Sequence, residues 1–243
     1  MVKVFHLGNI LIALCLFAAV AAAVLFLHFP AETGLFAASG NTALPVLLID
    51  PGHGGEDGGA VSVTGTYESI INFDIALRVA DLAGLTGIPY KLTRESADIS
   101  YPKELKSVAK RKAYDQRARV ALINGTPDAV LVSIHQNFFP KKSVYGPQVF
   151  YAKTTRSDVL AGYFRETLDE ALLPENERAA KPIAENIYLM KNVRCPAVLV
   201  ECGFLSNAKE AARLDTQEYR LRIAAALTGA YLRYLGSEGT NES

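Results

Sequence analysis

Short runs of apolar residues alternate along this chain with longer segments in which apolar residues recur at helical spacing. Short continuous apolar runs between polar or glycine-rich segments are typical of strands buried on both faces of a parallel sheet. Helical spacing is clearest over 71–82 and 159–168. The alternation predicts an α/β fold, a mostly parallel twisted sheet of about six strands with helices on both faces. The runs predicted to be strands are 46–49, 90–93, 129–134, 148–151, 187–190 and 197–200.

Capping residues predict where several helices begin and end. Asn124-Gly125 is a C-terminal glycine stop for the helix that follows the basic stretch 103–112. Ser206 is predicted to cap a short helix, and the Asp215-x-x-Glu218 pattern is predicted to open the last one. These signals add boundaries to the elements that the apolar pattern predicts.

The N-terminus differs from the rest of the chain, because every residue of 10–27 is apolar. A helix over this run is about 27 Å long, close to the roughly 30 Å hydrocarbon core of a bilayer. Lys3 precedes the run and no Lys or Arg occurs after it before Arg78, which favours export of the domain C-terminal to the run. We predict one membrane-spanning or signal helix. The alternatives are a signal peptide cleaved near 37–39 and a buried core helix.

The chain is therefore predicted to have one folded domain behind this N-terminal helix. A domain of roughly 200 residues is large enough to bury a core of its own. The predicted divisions are a cytoplasmic N-terminus (1–9), a transmembrane anchor or signal segment (10–27), a linker (28–44), the folded domain (45–236) and a polar tail (237–243).

The charge balance and the cysteine positions argue against a nucleic acid partner and against a disulfide between Cys195 and Cys202. Lys plus Arg and Asp plus Glu both total 25, and this balance argues against a nucleic acid partner, which requires a basic surface. Cys195 and Cys202 flank a predicted strand. An extended segment of that length spans about 23 Å, whereas a disulfide requires Cα atoms within about 7 Å. We predict that these two thiols are unpaired and buried.

Two histidines and two glutamates are predicted to meet at one edge of the sheet. His53 follows the first predicted strand, and His135 ends the third. Glu201 ends the last strand, and Glu68 begins the first helix after a glycine-rich loop. The carboxyl ends of parallel strands share one edge with the amino ends of the helices that follow, and ligands bind at that edge. These four side chains are therefore expected to lie close together.

The residue types predict metal-assisted hydrolysis. Two histidines and a carboxylate are the ligand set of a catalytic zinc site, and zinc makes water a nucleophile at neutral pH. A second carboxylate can then take the proton of the water and pass it to a leaving amine. The alternatives are hydrogen-bonded structural histidines, a Glu68 that only stabilises a helix terminus, and a phosphate-binding loop over 52–65. That loop lacks the Gly-Lys-Ser/Thr sequence of a phosphate site.

Several segments resemble one family in order. Residues 48–57, Leu-Ile-Asp-Pro-Gly-His-Gly-Gly-Glu-Asp, resemble the opening motif of the zinc-dependent N-acetylmuramoyl-L-alanine amidases of the Amidase_3 family. Leu-Thr-Arg at 92–94, Ser-Ile-His-Gln-Asn at 133–137 and Glu-Cys-Gly-Phe-Leu-Ser-Asn at 201–207 also resemble motifs of that family. The resemblance covers 47–235, which is nearly all of the predicted domain.

The resemblance implies a role for each of the four residues. His53, Glu68 and His135 would bind one Zn²⁺ ion, and Glu201 would be the catalytic carboxylate. The substrate would be the amide between N-acetylmuramic acid and L-alanine in peptidoglycan. These implications make the domain a catalytic amidase domain that acts outside the cytoplasm, anchored to the membrane or secreted.

Finer features within the family are also implied. The stretches 145–151 and 185–189 are similar to those of amidases of spore-cortex maturation, and a general wall-remodelling role is the alternative. Some family members carry an inhibitory helical insertion between the second histidine and the catalytic glutamate. The short separation of His135 and Glu201 predicts that this chain lacks one.

Two other functions are compatible with the same residues. One is a zinc hydrolase that cuts within the stem peptide, and the other is a wall-binding relative without turnover. An activator or a deacetylase partner is not specified by any motif. Arg94 and the basic stretch 103–112 are interpreted as a solvated charged face, with binding of anionic substrate groups as the alternative. Arg117 and Arg119 are interpreted as structural or substrate-facing residues.

Overall fold

A computed structural model of the protein describes residues 44–238. The predicted N-terminal helix over 10–27, nearly all of the predicted linker and the residues after 238 lie outside this part. Within 44–238, no helix combines the length and the apolar character that crossing a membrane requires. The strands are β1 (Val46–Pro51), β2 (Tyr90–Leu92), β3 (Ala129–Asn137), β4 (Gln148–Tyr151), β5 (Lys181–Pro182) and β6 (Ala197–Phe204). The helices are α1 (Glu68–Leu85), α2 (Val108–Asn124), α3 (Ser157–Leu172), α4 (Tyr188–Asn192), α5 (Ala208–Leu214) and α6 (Gln217–Glu238).

The strands form one six-stranded sheet in the order β2-β1-β3-β6-β4-β5. Every pairing is parallel except that of β4 with β6, which is antiparallel. The prediction of a mostly parallel sheet of about six strands is confirmed. Its centre is formed by β1, β3 and β6, so the carboxyl ends of these three strands lie side by side.

The predicted strand over 187–190 is wrong. These residues lie in and just before α4, in which the buried side chains are Leu189 and Met190. A short apolar run fits a buried helical turn as well as a strand, so periodicity alone does not separate the two. The sixth strand is instead β5, which has two residues and pairs with Phe150 and Tyr151. The sequence of β5 did not predict a strand, because the segment is very short and ends in a proline.

Helices cover both faces of the sheet, as predicted. On one face α1, α3 and α6 contribute Ile75, Phe164 and Tyr231 to a core that also contains Val132 and Val200. On the other face α2 and α4 contribute Ile123 and Leu189 to a smaller core. Alternate residues of the strands therefore face alternate cores, as the pleat requires.

The register of β3 and β6 places side chains beyond the smaller core. Leu131 and Leu199 belong to that core, and His135 and Glu201 are four and two residues further along their strands on the same face. His135 is directly paired with Glu201 across the two strands. The side chains of His135 and Glu201 therefore lie at the carboxyl edge of the sheet, on the face that α2 and α4 cover.

Two predicted helix caps are displaced by one residue. Asn207, rather than Ser206, caps α5 by accepting from the N–H groups of Lys209 and Glu210. Ser206 Oγ instead accepts from the backbone N–H of Phe139. Thr216 Oγ1, rather than Asp215, accepts from the backbone N–H of Tyr219 in the first turn of α6. Hydroxyl and amide groups next to one another compete for the same capping position.

Candidate metal centre

His53 lies in a tight turn directly after β1. Its backbone φ is 62°, in the left-handed region that few residues other than glycine adopt. Arg119 holds this conformation, because its guanidinium donates to the carbonyl oxygens of His53 at 2.7 Å and Pro51 at 2.8 Å. A strained backbone that persists requires such support from its surroundings. The turn directs the imidazole over the edge of the sheet.

Glu68 is the first residue of α1 and is only 3% exposed. Its Oε2 accepts from the backbone N–H of Ala60 at 3.0 Å. Its Oε1 accepts from the backbone N–H of Gln136 at 3.1 Å and from Asn72 Nδ2 at 3.3 Å. Burial opposes ionisation, but the two nearby imidazoles outweigh it and lower the pKa of Glu68. Glu68 is therefore a fixed carboxylate, tied to α1, to β3 and to the loop before α1.

The two imidazoles flank this carboxylate. His53 Nε2 lies 3.3 Å from Glu68 Oε2, and His135 Nδ1 lies 3.0 Å from Glu68 Oε1. The ring centroids are 5.1 Å apart. One ligand atom from each of the three residues lies within 4.8 Å of the others. These three side chains therefore converge, and their donor set fits a zinc ion with an open position.

Two glycines allow the ligands to approach the backbone closely. A Cβ atom on Gly52 would lie 2.3 Å from His135 Nε2. A Cβ atom on Gly59, whose φ is 69°, would lie 2.6 Å from Glu68 Oε2 and 2.8 Å from His53 Cδ2. The glycine-rich loop therefore makes room for the ligands.

Negative charge around His53 favours a cation at this position. Asp57 Oδ2 lies 3.1 Å from His53 Nδ1, and Lys112 Nζ lies 2.7 Å from the same oxygen. Burial alone would lower the pKa of His53, but Asp57 and Glu68 outweigh it and raise that pKa to about 9. The same carboxylates would stabilise a metal ion in place of the proton. A carboxylate behind a ligating histidine also orients its ring.

Glu201 lies beside this cluster. It is half-buried, and its Oε2 atom is buried without a hydrogen-bond partner among residues 44–238. Burial raises the pKa of Glu201 to about 7, with a further increase from Glu68 that His135 opposes. A carboxyl group with this pKa exists in both protonation states at neutral pH. It is suited to accept a proton and later to donate it.

The cluster opens into a cavity of about 530 Å³. Lys112 and Gln116 of α2 line one side of it, and Phe138 lines another. The segment 186–189 also lines the cavity, but in the described part of the chain it makes no hydrogen bond to His53, Glu68, His135 or Glu201. Tyr188 and Leu189 of α4 are among the residues that line the cavity, and the absence of an inhibitory insertion stays a prediction.

The comparison with protein families identifies the domain. Residues 47–232 match the Amidase_3 family, which is described as N-acetylmuramoyl-L-alanine amidase. The chain belongs to this family. The resemblance that the motifs predicted is thereby confirmed.

Relatives of this amidase family cover most of the described domain. The germination-specific N-acetylmuramoyl-L-alanine amidase of Bacillus subtilis is 38% identical over 195 residues, which cover 80% of this chain and 81% of the relative. An uncharacterised cell wall amidase of Bacillus anthracis is 31% identical over 207 residues, covering 81% of this chain but only 36% of that protein. The solved CwlD amidase of Clostridioides difficile, in complex with the GerS lipoprotein, has a TM-score of 0.76 and 35% identity over 79% of this chain and 99% of its own.

Arg119 is buried behind the His-Glu-His cluster of the amidase domain, and its ion-pair partners were not recognised from the sequence. Arg119 pairs with Asp50 at 2.9 Å, and Asp50 also accepts from Ser133 and Thr93 at 2.6 Å each. Burial opposes ionisation of Asp50, but Arg119 and the two hydroxyls outweigh it and lower its pKa. This network ties β1, β3 and α2 together beneath His53. The pairing of residues 69 positions apart has no local sequence signal.

The interpretation of Arg94 as part of a solvated charged face is wrong. Arg94 is 8% exposed and donates to the carbonyl oxygens of Pro51 and Ser69. Its guanidinium also lies 4.5 Å from the ring centroid of Phe73. In the basic stretch Lys112 lines the cavity, whereas Lys103, Lys106 and Lys110 are exposed. The free thiols are confirmed, although only Cys202 is fully buried and Cys195 is partly exposed.

Arg119→Lys is expected to lower the free energy of unfolding of the metal-free protein by about 2–3 kcal/mol. A lysine ammonium cannot donate simultaneously to Asp50, Asp115 and the two carbonyl groups that the Arg119 guanidinium reaches. Urea unfolding measures the change. Arg78→Lys, which alters a partly exposed pair with Asp74, is the matched control and should cost less than about 0.5 kcal/mol. Equal losses of unfolding free energy in both variants would show that the buried network contributes no more stability than an exposed ion pair.

Proposed function

We propose that this chain hydrolyses the amide between N-acetylmuramic acid and L-alanine in peptidoglycan, with one zinc ion bound by His53, Glu68 and His135. The observation that carries the proposal is Glu201, whose buried Oε2 atom has no partner in the described part of the chain and whose carboxyl group borders the His-Glu-His cluster. A carboxyl group without a partner is costly to bury, and a function in proton transfer accounts for it.

Each side chain of the site has a separate role in the proposed reaction. A zinc ion supplies Lewis-acid chemistry that polarises a carbonyl group and activates water at neutral pH. Glu201 accepts a proton from the attacking water and delivers it to the nitrogen of L-alanine, so that the C–N bond breaks with a neutral amine as the leaving group. Asp57 orients the His53 ring, and Ala60, Asn72 and Gln136 hold the Glu68 carboxylate.

Zinc is proposed because the ligands are two imidazoles and one carboxylate. Manganese or iron can bind the same types of ligand, so the metal has to be identified by measurement. We also propose that 45–236 is the catalytic domain, that 10–27 anchors or exports it, and that the enzyme acts outside the cytoplasm. The similarity to a germination-specific amidase supports a role in the spore cortex.

A protein partner is proposed on one comparison. The solved CwlD amidase is in complex with the GerS lipoprotein. By analogy, a lipoprotein at the outer face of the membrane is an activator candidate for this chain. Activity should therefore be measured both with the isolated protein and with such a lipoprotein added.

The defining experiment incubates the full-length, zinc-loaded protein with purified peptidoglycan. Mass spectrometry then looks for free stem peptides that begin with L-alanine and for glycan that has lost its peptides. Shortened stems still attached to glycan would instead indicate a peptidase that cuts within the stem. An absence of any cleavage by protein that contains stoichiometric metal, with or without a lipoprotein partner, would support a wall-binding role.

Metal removal is expected to abolish cleavage and to lower the melting temperature. Zinc that binds only the folded state stabilises it by about 2.7 kcal/mol when its concentration is about a hundred times the dissociation constant. Chelation followed by re-addition of zinc should therefore restore both properties. Differential scanning calorimetry with and without zinc measures the shift. His135→Ala should show no zinc-dependent shift, and a shift of wild-type size in that variant would contradict the ligand assignment.

A further inference from the structure

A second cavity, of about 780 Å³, lies at the same edge of the sheet as the metal centre. Three of the side chains that line it are cationic, namely Lys142, Lys209 and Arg213. Tyr145 also lines it and is exposed. We refer to this cavity as the basic pocket. None of these four residues takes part in the proposed reaction.

The basic pocket shares two walls with the catalytic cavity. The loop before α1 contributes Ala60 to the catalytic cavity and Val63 to the basic pocket. The segment after β3 contributes Phe138 to the catalytic cavity and Lys142 to the basic pocket. The first wall is attached to the end of β6 by the Val63 N–H, which donates to Leu205 O at 3.0 Å. The two cavities are therefore neighbours on a common frame.

The basic pocket carries more positive than negative charge. Within residues 44–238, no carboxylate forms an ion pair with Lys142, Lys209 or Arg213. The acidic residue that lines the pocket is Glu210, which is 4% exposed. Its carboxylate oxygens accept from the backbone N–H of Gly146, at 2.9 and 3.1 Å, and from that of Phe204, at 2.7 Å. Glu210 offsets part of the positive charge, but its single carboxylate is outnumbered by the three cationic side chains, so the pocket attracts anions.

The distance between the cavities suits an extended peptide. Glu201 lines the catalytic cavity and Ser206 lines the basic pocket, and these positions in one chain segment are at most about 18 Å apart. A peptide of about five residues, fully extended, reaches about 17 Å. Exposed Phe138 lines the catalytic cavity and exposed Val63 lines the basic pocket, while the N–H of exposed Phe139 donates to Ser206 of the basic pocket, so a peptide backbone can pass over apolar side chains.

We propose that the basic pocket binds carboxylate groups of the stem peptide while the amide at its start lies beside Glu201. The proposal rests on the proposed function, because it assumes that a stem peptide leaves the catalytic cavity. Stem peptides carry side-chain and terminal carboxylates, whereas the N-acetylated glycan is neutral. Lysine and arginine side chains bind carboxylates through charge-assisted hydrogen bonds. The pocket would thereby favour substrates that retain a full stem.

The test compares two soluble substrates with the full-length, zinc-loaded protein. One is an N-acetylmuramoyl peptide with the complete stem, and the other is N-acetylmuramoyl-L-alanine, which is too short to reach the pocket. In the double variant Lys142→Glu, Lys209→Glu, KM for the full-stem substrate is expected to rise about tenfold with kcat nearly unchanged. Kinetics with the short substrate should stay at the wild-type level. The preference for the full stem should also weaken at high salt.

Lys91→Glu, Lys181→Glu is the matched control. It makes the same change in net charge on exposed lysines of the two edge strands, outside both cavities. An equal rise in KM in this control would overturn the subsite, since overall charge would then explain the effect. An unchanged KM in the pocket variant, or equal losses on both substrates, would also overturn it. If the wild type cleaves neither substrate, with or without a lipoprotein partner, the proposed function itself is wrong and the subsite with it.

Discussion

Glu201→Gln is expected to lower kcat for amide hydrolysis by about 10²- to 10⁴-fold while zinc affinity changes little. Glutamine has nearly the same shape and size as glutamate, so the packing at the end of β6 is kept. Its amide cannot accept the proton of the attacking water or deliver one to the leaving nitrogen. Since the Glu201 Oε2 atom has no hydrogen-bond partner among residues 44–238, the substitution breaks no hydrogen bond of that atom.

Two measurements separate the proton-transfer role from a role as metal ligand. Steady-state kinetics on a muramoyl peptide gives kcat, and competition with a chromophoric chelator gives zinc affinity. A fall in zinc affinity as large as the fall in kcat would contradict the assignment and make Glu201 a ligand. The wild-type rate should decline at low pH as Glu201 becomes protonated, and this decline should be missing from the residual activity of the variant.

Glu185→Gln is the matched control for this substitution. Glu185 is an exposed carboxylate that pairs with Lys153 and does not line the catalytic cavity. Its replacement should leave kcat and zinc affinity at wild-type values, because exposed ion pairs contribute little. Loss of activity in both variants would show that the assay responds to general damage.

The location of the four residues of the candidate site was largely predictable from the geometry of parallel sheets. His53, His135 and Glu201 each follow or end an apolar run, and a parallel sheet brings such positions to one edge. Glu68 was different. Its position at the start of a helix was equally compatible with stabilisation of the helix terminus, and only the family resemblance distinguished the two.

The residues that hold this site in place were not predictable in the same way. Arg119 contacts His53 and Asp50 across more than sixty positions of sequence, and Asn72 contacts Glu68 from the next turn of α1. Such contacts depend on the packing of α1 and α2 against the sheet. A positive φ at His53 also has no signal in the residue type, which normally avoids it.

Gly59→Ala is expected to reduce zinc affinity by about 10- to 100-fold, the range typical when support for metal ligands is removed. The added Cβ atom would lie 2.6 Å from Glu68 Oε2 and 2.8 Å from His53 Cδ2, so both side chains would have to move. Glu68 cannot move freely, because three donors hold its oxygens. Chelator competition measures the affinity, and urea unfolding of the metal-free protein measures the cost in stability.

Gly87→Ala separates the steric effect from backbone strain. Gly87 has φ 72°, nearly the φ 69° of Gly59, but a Cβ atom there would meet nothing within 4 Å. Each substitution should therefore destabilise the metal-free protein by about 1–2 kcal/mol through its positive φ. Only Gly59→Ala should weaken zinc binding. If both variants kept wild-type affinity, the ligand geometry would not depend on this loop, and the ligands themselves would be sufficient to form the site.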